Sequence, residues 1–232
     1  MKFIVAPEIF ALFPDACFGI VIAKGFPAGE QPAVAEKLAG SLAAAGGNFP
    51  DGVKSHPAIA VWRDAFTKLG LNPNKFQSSV EALHTRAFKT GHVPSINPVV
   101  DLGNAVSLKH ILPIGAHDIG RLSGDIELRL SRPGDIFTPF GSADSEDVPP
   151  GEIVYADGLE IRTRRWVWRQ GDKAKIEADS RDIFFPIDGF AGVTKDAVLA
   201  ARGELAAACA FLGCRTEIFF VDRDNPIAEW AD

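Results

Sequence analysis

Residues 91–130 read GHVPSINPVVDLGNAVSLKHILPIGAHDIGRLSGDIELRL, and this stretch decides how the fold is interpreted. Asn97 and Pro98 mark a helix start, because an asparagine side chain accepts hydrogen bonds from free backbone N–H groups and proline suits the first helical position. Apolar residues then recur on a helical spacing over residues 98–109. After a polar turn, residues 125–130 alternate as a half-buried strand does. The stretch predicts a helix, a turn and a strand.

The turn in this stretch carries two titratable side chains. Pro113 cannot continue the helix, and residues 114–118 end in His117 and Asp118. A histidine beside a carboxylate can act as a base near neutral pH. Adjacent strand residues point to opposite sides, so both would face one cavity only in a turn. His117 is therefore a catalytic candidate, and Asp118 either fixes the turn through backbone hydrogen bonds or lines a pocket.

A second unusual segment is RTRRWVWRQ at residues 162–170. On a continuous strand, alternate side chains share one face. That face would carry Arg164, Trp166, Trp168 and Gln170. An arginine beside indole rings can hold a planar anion or stack on a ligand, which makes this segment, with Arg169, a candidate binding surface. The alternative is that the tryptophans are core residues and the arginines pair with nearby acids.

Composition sets the class of protein. The chain has 232 residues and 47% hydrophobic residues, enough for one large packed domain over residues 1–232. Lys plus Arg number 24 against 30 for Asp plus Glu, a formal charge of −6. This balance argues against broad nonspecific nucleic-acid binding, so we expect no DNA partner, but it leaves room for a local basic patch.

The sequence lacks the motifs that are typical of several classes of function. The three cysteines have no metal-binding spacing, Cys209 and Cys214 are expected to face a core, and no histidine pair has zinc-site spacing. There is no P-loop, GxSxG or GxGxxG motif, so we expect no metal and no cofactor. The N-terminal apolar run is broken by Pro7, and none elsewhere reaches the roughly 18 residues of a membrane span. These features predict a soluble cytoplasmic protein.

The remaining elements follow from periodicity and capping signals. Helices are predicted at residues 32–45, 57–69, from Ser78 to about Gly91, and 195–212 with Thr194 as cap. Strands are predicted at residues 2–5, 17–24, 175–176, 182–185 and 216–221, with a hairpin over 153–169. Residues 131–151 are expected to form a long surface loop, and the tail after Asp222 to be peripheral. The order of helices and strands favours an α+β fold.

Three motifs together resemble a known family. PSINPVVDLGNAVSL at residues 94–108, PIGAHD at 113–118 and RRWVWRQG at 164–171 resemble free-standing B3/B4-domain proteins, which are similar to the B3/B4 domain of the phenylalanyl-tRNA synthetase beta subunit. The resemblance covers about residues 10–220 and is most specific over 91–190. It implies helices packed on a mixed, mainly antiparallel β-sandwich.

The resemblance also implies a function, although this chain departs from the family pattern at several positions of the site. In the synthetase, this domain hydrolyses tyrosine wrongly attached to the phenylalanine tRNA. The VVDxxN motif matches at Val99 to Asn104, whereas the family's editing histidine falls at Gly115 and its glutamate at Pro186, two residues before Asp188. Glycines of the family's pocket strand are replaced by the Arg-Trp segment. The site implied on this chain has catalytic His117 and Asp188 and substrate-binding Asn104, Asp118, Arg164, Trp166, Trp168, Arg169 and Gln170.

Two hypotheses follow from these residues. In the first, the protein is an aminoacyl-tRNA deacylase that acts in trans, with tRNA as partner. In the second, it is a noncatalytic module that binds tRNA or an amino-acid-like small molecule, and full burial of the Arg-Trp face would instead indicate a structural partner. Both main hypotheses predict that one cavity is lined by Asn104, His117, Arg164, Trp168 and Asp188.

Overall fold

The computed structural model of the chain describes residues 1–173 and 175–231. It confirms the α+β class, with helices packed against mixed, mostly antiparallel sheets. The helices are α1 (Pro7–Leu12), α2 (Pro32–Ala45), α3 (Pro57–Lys68), α4 (Ser79–Thr90), α5 (Pro98–His110) and α6 (Ala191–Phe211). The first strands are β1 (Lys2–Val5), β2 (Ala16–Lys24), β3 (His117–Asp118), β4 (Ile126–Leu130), β5 (Ile136–Phe137) and β6 (Glu146–Asp147). The later strands are β7 (Ile153–Asp157), β8 (Glu160–Arg164), β9 (Arg169–Gln170), β10 (Ile183–Phe190), β11 (Arg215–Val221) and β12 (Ile227–Glu229).

The strands form two sheets. The larger sheet has the order β12-β1-β4-β7-β8-β5-β6, with β9 also paired to β8. The smaller sheet has the order β11-β2-β10-β3. The β1–β4 and β5–β8 pairs are parallel, and the other pairs are antiparallel.

The two sheets face each other across an aromatic core. Phe3 of the larger sheet lies 5.9 Å from Phe18 and 5.4 Å from Phe184 of the smaller sheet, measured between ring centroids. It also stacks on Tyr155 of its own sheet at 5.8 Å. The predicted β-sandwich is therefore confirmed, and its inner layer is built from aromatic side chains.

Strands β2 and β10 of the smaller sheet are buried on both faces, and β2 shows how the sequence permits this. Phe18, Ile20 and Ile22 point into the core shared with the larger sheet, whereas Val21 and Ala23 point into a second core beneath α5 and α6. Side chains on a strand alternate between faces, so a strand apolar on both faces must be covered twice. The resulting order of layers is helices, smaller sheet and larger sheet.

Local signals place the helix that precedes the site. The Oδ1 atom of Asn97 accepts a hydrogen bond from the Val100 N–H at 3.0 Å, and Pro98 occupies the first helical position, as predicted. The helix ends at Ile111, whose φ of 56° lies in the left-handed region. The chain then turns through residues 112–116 into β3, which pairs with β10.

The prediction of one continuous strand over residues 162–170 is wrong. Strand β8 ends at Arg164, and Arg165 and Trp166 have φ values of 48° and 61°. These two residues reverse the chain, and β9 pairs back on β8 with Gln170 opposite Thr163. The four side chains expected on one strand face therefore belong to two strands and the turn that joins them.

Three smaller expectations are also wrong. Residues 175–176, where a strand was predicted, belong to no strand. Helix α6 begins at Ala191, so Thr194 lies inside it and its Oγ1 accepts from the Phe190 N–H at 2.9 Å. The tail is not peripheral, because β12 pairs with β1 and Trp230 is buried against Phe184. Within the described part of the chain, none of the helices combines the length and apolarity that a membrane span requires.

Candidate active site

A small cavity lies where β3, β10 and the turn after β8 meet, and we name it the inner cavity. Its volume is about 80 Å³. It is lined by Ser79, Pro113, Ile114, Gly115, His117, Tyr155, Thr163, Trp166, Val167, Trp168, Arg169, Gln170, Pro186 and Asp188. Segments that are far apart in the sequence thus form the walls of the inner cavity.

A wider groove between α4 and α5 opens next to the inner cavity, and we name it the outer groove. Its volume is about 620 Å³. Ser79, Ile114 and Trp168 line both spaces, so the half-buried indole of Trp168 stands between them. Other residues of the outer groove include Arg86, Lys89 and Asn104.

Asp188 is the buried carboxyl of the inner cavity. Its side chain is 2% exposed, and its Oδ1 accepts hydrogen bonds from the Tyr155 hydroxyl at 2.6 Å and the Trp166 Nε1–H at 2.8 Å. Burial raises the pKa of Asp188 to about 7, although the two donors act in the opposite direction. The carboxyl can therefore hold or release a proton near neutral pH.

The orientation of the Gln170 amide favours one tautomer of His117. The Gln170 Nε2 donates to the Ala116 carbonyl oxygen at 2.8 Å, which fixes the amide orientation, and it also lies 3.5 Å from His117 Nδ1. An amide nitrogen only donates, so Nδ1 is the acceptor of this weak contact and the proton belongs on Nε2. Nε2 lies on the side of Gly115, within 3.4 Å of where a Cβ on that glycine would be.

The imidazole of His117 is uncharged at neutral pH. Burial, reinforced by the nearby Arg162 guanidinium, lowers its pKa to about 4. The ring packs between aromatic neighbours, with centroids 6.3 Å from Tyr155 and 5.9 Å from Phe184. A neutral ring with a proton on Nε2 acts as a hydrogen-bond donor toward the cavity side.

The inner cavity therefore combines two complementary groups. Asp188 can accept a proton from water when ionised, and His117 can donate a hydrogen bond to an oxygen that becomes negative. Neither group resembles an exposed surface side chain, because each is almost fully buried. This pairing suits acid–base chemistry on a small polar group.

The sequence-predicted site residues do not all reach this cavity. His117, Asp188, Trp166, Trp168, Arg169 and Gln170 line the inner cavity, and Asn104 lines the outer groove. Asp118 ends β3 and caps the turn that follows, since its carboxylate accepts from the Gly120 N–H at 2.9 Å and the Ser180 hydroxyl at 2.5 Å. His117 and Asp118 thus point apart, as adjacent strand residues do.

Arg164 lies outside both spaces and is held by two acids. Its Nη1 lies 2.6 Å from Glu146, and its Nε lies 2.8 Å from Glu152. The hydrogen bonds that Arg164 donates to Glu152, together with the negative charges of both acids, raise the pKa of the guanidinium further. Arg165 instead lies over the Trp168 ring at 4.4 Å and over Phe76 at 4.1 Å, which supports the indole between cavity and groove.

Comparison with known proteins identifies the family of this chain. A family model described as the B3/4 domain matches residues 61–201, more than half of the chain. The chain belongs to the B3/4 domain family. Every residue that lines the inner cavity or the outer groove lies inside the matched segment of this B3/4 domain.

One solved structure similar to the B3/4 domain is an N-terminal fragment of the phenylalanyl-tRNA synthetase beta-subunit from Pyrococcus horikoshii. It matches with a TM-score of 0.47 and 9% sequence identity, over 92% of this chain and 49% of that fragment. This chain therefore spans about half the length of that fragment. The search of curated proteins found no match.

Sequence reasoning missed several residues of the B3/4 site. Tyr155, which hydrogen-bonds Asp188, was interpreted only as part of a hairpin, although it is the 1 tyrosine in a chain with 17 phenylalanines. A hydroxyl at a buried strand position was the available signal, since such a group needs a partner. Gly115 and Pro186 were noted only as family departures, yet both line the inner cavity as hydrogen-bonded neighbours. Among the residues that the structure describes, no cluster of three or more His, Cys, Asp or Glu could hold a metal ion.

Proposed function

We propose that this B3/4 domain hydrolyses the ester bond of a mischarged aminoacyl-tRNA, acting in trans in the cytoplasm. The observation that carries the proposal is the pair of buried groups in the inner cavity, a carboxyl with a pKa of about 7 and a neutral imidazole. Ester hydrolysis needs a group that takes a proton from water and a donor for the developing oxyanion. The B3/4 family relation supports a synthetase-related module.

The reaction can be written with this chain's own residues. Ionised Asp188 accepts a proton from water as the water oxygen bonds to the ester carbonyl carbon. The negative charge that develops on the carbonyl oxygen is stabilised by the Nε2–H of His117. The bond from the carbonyl carbon to the ribose oxygen then breaks, and Asp188 returns the proton to that ribose oxygen. The products are a free amino acid and an uncharged tRNA end.

The outer groove suits the terminal nucleotides of the tRNA. Arg86 and Lys89 are exposed on α4 and line the groove that opens onto the inner cavity. Phosphate contacts by such cations provide most of the affinity of proteins for nucleic acids. The chain carries a formal charge of −6, so this local pair of cations has to supply the attraction that the whole surface lacks.

Deacylation of a panel of mischarged tRNAs tests the proposal. We expect hydrolysis by the unmodified chain, and a loss of about 100-fold or more in Asp188→Asn and in His117→Ala. Asp196→Asn is the matched control, because Asp196 is exposed on α6 and lines neither space. Equal rates in Asp188→Asn and the control would contradict the proposed role of the carboxyl.

A second candidate is a noncatalytic module that binds an amino-acid-like small molecule. The acidic net charge and the small inner cavity favour it, since both suit a small ligand better than a large polyanion. Binding of amino acids with no turnover of any charged tRNA would identify this function. A DNA partner is expected under neither candidate.

A further inference from the structure

The inner cavity is too small for a large acyl group. Its volume, measured as the space open to a water-sized group, is about 80 Å³. An engineered protein cavity of about 150 Å³ holds one benzene ring, and the inner cavity has about half of that volume. A glycyl, alanyl or seryl group with one attacking water fills such a space, whereas the ring of tyrosine or phenylalanine adds more atoms than fit.

The walls of the inner cavity are fixed by packing. Trp166 is fully buried, and its ring lies 5.0 Å from Trp62 and 5.1 Å from Phe13. Gly115 and Pro186 are neighbours in another part of the wall, where the Gly115 N–H donates to the Pro186 carbonyl oxygen at 2.9 Å. A Cβ on Gly115 would lie only 3.0 Å from Pro186 Cγ and 3.4 Å from His117 Nε2, so the wall leaves no room here for one added methyl group. Close-packed interiors of this kind do not widen cheaply.

The reacting carbonyl has to enter this same cavity. Asp188 and His117 both line it, and neither lines the outer groove. A side chain attached next to the carbonyl must therefore share the space with the carbonyl and the attacking water. The indole of Trp168 lines both this space and the outer groove, so it narrows the passage that a longer side chain would need.

We infer that this B3/4 domain selects small acyl groups, of the size of glycyl, alanyl or seryl, and excludes aromatic ones through the walls formed by Trp166, Trp168 and Pro186. The inference rests on the proposed function, because it assumes that the inner cavity receives the acyl group. It adds the class of substrate and the residues that set the size limit.

The test uses the full chain and one tRNA transcript esterified in turn with glycine, alanine, serine, tyrosine or phenylalanine. We expect kcat/KM for the alanyl ester to exceed that for the tyrosyl ester by about 100-fold or more. Tyrosyl or phenylalanyl esters hydrolysed as fast as the small ones would overturn the size limit and leave ester hydrolysis intact.

Two variants change the cavity in opposite directions. Trp168→Ala opens the inner cavity to the outer groove and should reduce the alanyl-to-tyrosyl ratio by about tenfold or more. Gly115→Ala narrows the cavity and should slow the alanyl ester more than the glycyl ester. Gly203→Ala is the matched control for the glycine change, since a Cβ there meets nothing within 4 Å, and it should leave both ratios unchanged.

Amino-acid amides separate failure of the size limit from failure of hydrolysis. Binding of alaninamide and tyrosinamide is followed by tryptophan fluorescence, with Trp168→Phe identifying the signal from the cavity wall. If no ester is hydrolysed but alaninamide binds at least about tenfold more tightly than tyrosinamide, the catalytic proposal fails and the size limit stands. If neither amide binds and no ester is hydrolysed, both proposals are overturned.

Discussion

At the scale of single residues, the chemistry of this domain depends on how Asp188 is solvated. One oxygen of its carboxyl has two neutral donors, the Tyr155 hydroxyl and the Trp166 indole N–H, instead of a cation. Neutral donors stabilise a carboxylate less than a paired charge does, so burial dominates and the pKa rises to about 7. A salt bridge at this position would have kept the group ionised and removed its capacity to carry a proton.

The first prediction concerns the pH dependence of stability. The pKa of Asp188 is about 7 in the folded protein against an ordinary value of 3.8, so the folded state binds the proton more tightly. The stability that this proton contributes is therefore lost as pH rises from about 4 to 7. Above about pH 7 this group no longer changes the free energy of unfolding. Asp188→Asn keeps an oxygen acceptor but cannot ionise, so it should gain up to about 3 kcal/mol relative to the unmodified protein between pH 5 and 8. Urea unfolding across this range measures the difference.

Asp196→Asn is the control for this prediction, because Asp196 is exposed and should show no such pH-dependent gain. A constant free-energy difference between the Asp188→Asn variant and the unmodified protein from pH 5 to 8 would mean that Asp188 ionises normally. The titration of His117 has the opposite sign, since its lowered pKa removes stability as pH falls from about 6.5 to 4. Both proteins contain His117, so its contribution cancels in the difference between them, and the pH dependence of that difference reports Asp188.

The second prediction concerns the tautomer of His117. The Gln170 amide faces Nδ1, so nitrogen NMR of the labelled imidazole at pH 7 should show Nδ1 unprotonated and Nε2 protonated. The ring should titrate with a pKa near 4, because it is buried. Gln170→Glu should place a carboxylate beside the ring and raise that pKa. A neutral ring with its proton on Nδ1 would remove the oxyanion donor from the proposed reaction, and a ring that titrates near 6.5 would contradict the burial described for His117.

Inspection of individual residues in the sequence identified part of this site. His117 stood out because it follows a turn and precedes a carboxylate, but its neighbour Asp118 serves the turn through Gly120 and Ser180. Asp188 was reached only through a family resemblance, since an acidic residue after a strand has many ordinary explanations. No local pattern connects Tyr155 with Asp188, 33 residues apart, so their hydrogen bond could not be predicted.

At the scale of elements, the turn after β8 is the feature that sequence patterns misassigned. Alternation over residues 162–170 is what a strand would show, and neither Arg165 nor Trp166 is a residue that commonly adopts a positive φ. The turn forms because the Trp166 side chain is buried among Trp62, Phe13 and Phe190. Burial of a large aromatic ring outweighs about 1–3 kcal/mol of backbone strain. Local propensity cannot reveal this, because the stabilising contacts are distant in sequence.

The third prediction concerns the packing of α6 on β10. A Cβ on Gly189 would lie 2.5 Å from Val198 Cγ2 and 2.6 Å from Thr194 Oγ1, so Gly189→Ala forces the helix away from the strand that carries Asp188. We expect a loss of about 1–3 kcal/mol in the free energy of unfolding. Gly40→Ala in α2 is the matched control, because nothing lies within 4 Å and it should be neutral or stabilising by about 0.5–1 kcal/mol. Equal unfolding midpoints for the two variants would contradict the packing described for β10.

At the scale of the whole molecule, the smaller sheet links the two cores. Its strand β2 supplies side chains to the aromatic core on one face and to the helical core on the other. Loss of either core therefore exposes apolar surface on the same strand. The domain assignment over residues 1–232 is a prediction that rests on this link, because a sheet shared by both cores should unfold only once.

The fourth prediction is a single cooperative unfolding transition. Tryptophan fluorescence follows the aromatic core around Trp62 and Trp166, and far-ultraviolet circular dichroism follows the helices, so the two midpoints should coincide. Trp230→Ala, which removes a ring that stacks on Phe184 at 5.8 Å, should lower both midpoints together, by about 3–5 kcal/mol in unfolding free energy. Two separated transitions would divide the chain into independent domains.

The fold class could be predicted from the sequence, but the pairing of the strands could not. The order of helices and strands indicated α+β, and helix limits from Pro32, Pro57, Asn97 and Ser78 agree with the structure within a residue or two. The parallel pairing of β1 with β4 and the return of β12 to β1 join parts of the chain that no local signal connects. For that reason the tail was misplaced, although its buried Trp230 belongs to the core.

The most direct test of the account is the pH dependence of kcat/KM for hydrolysis of an alanyl-tRNA ester. If Asp188 is the group that takes the proton from water, the rate should rise with one ionisation at a pKa of about 7 and level off above it. The same rise should be absent from the residual activity of Asp188→Asn. A profile governed by a pKa near 4, or one that is unchanged in Asp188→Asn, would contradict the central claim that the buried carboxyl of the inner cavity performs the proton transfer.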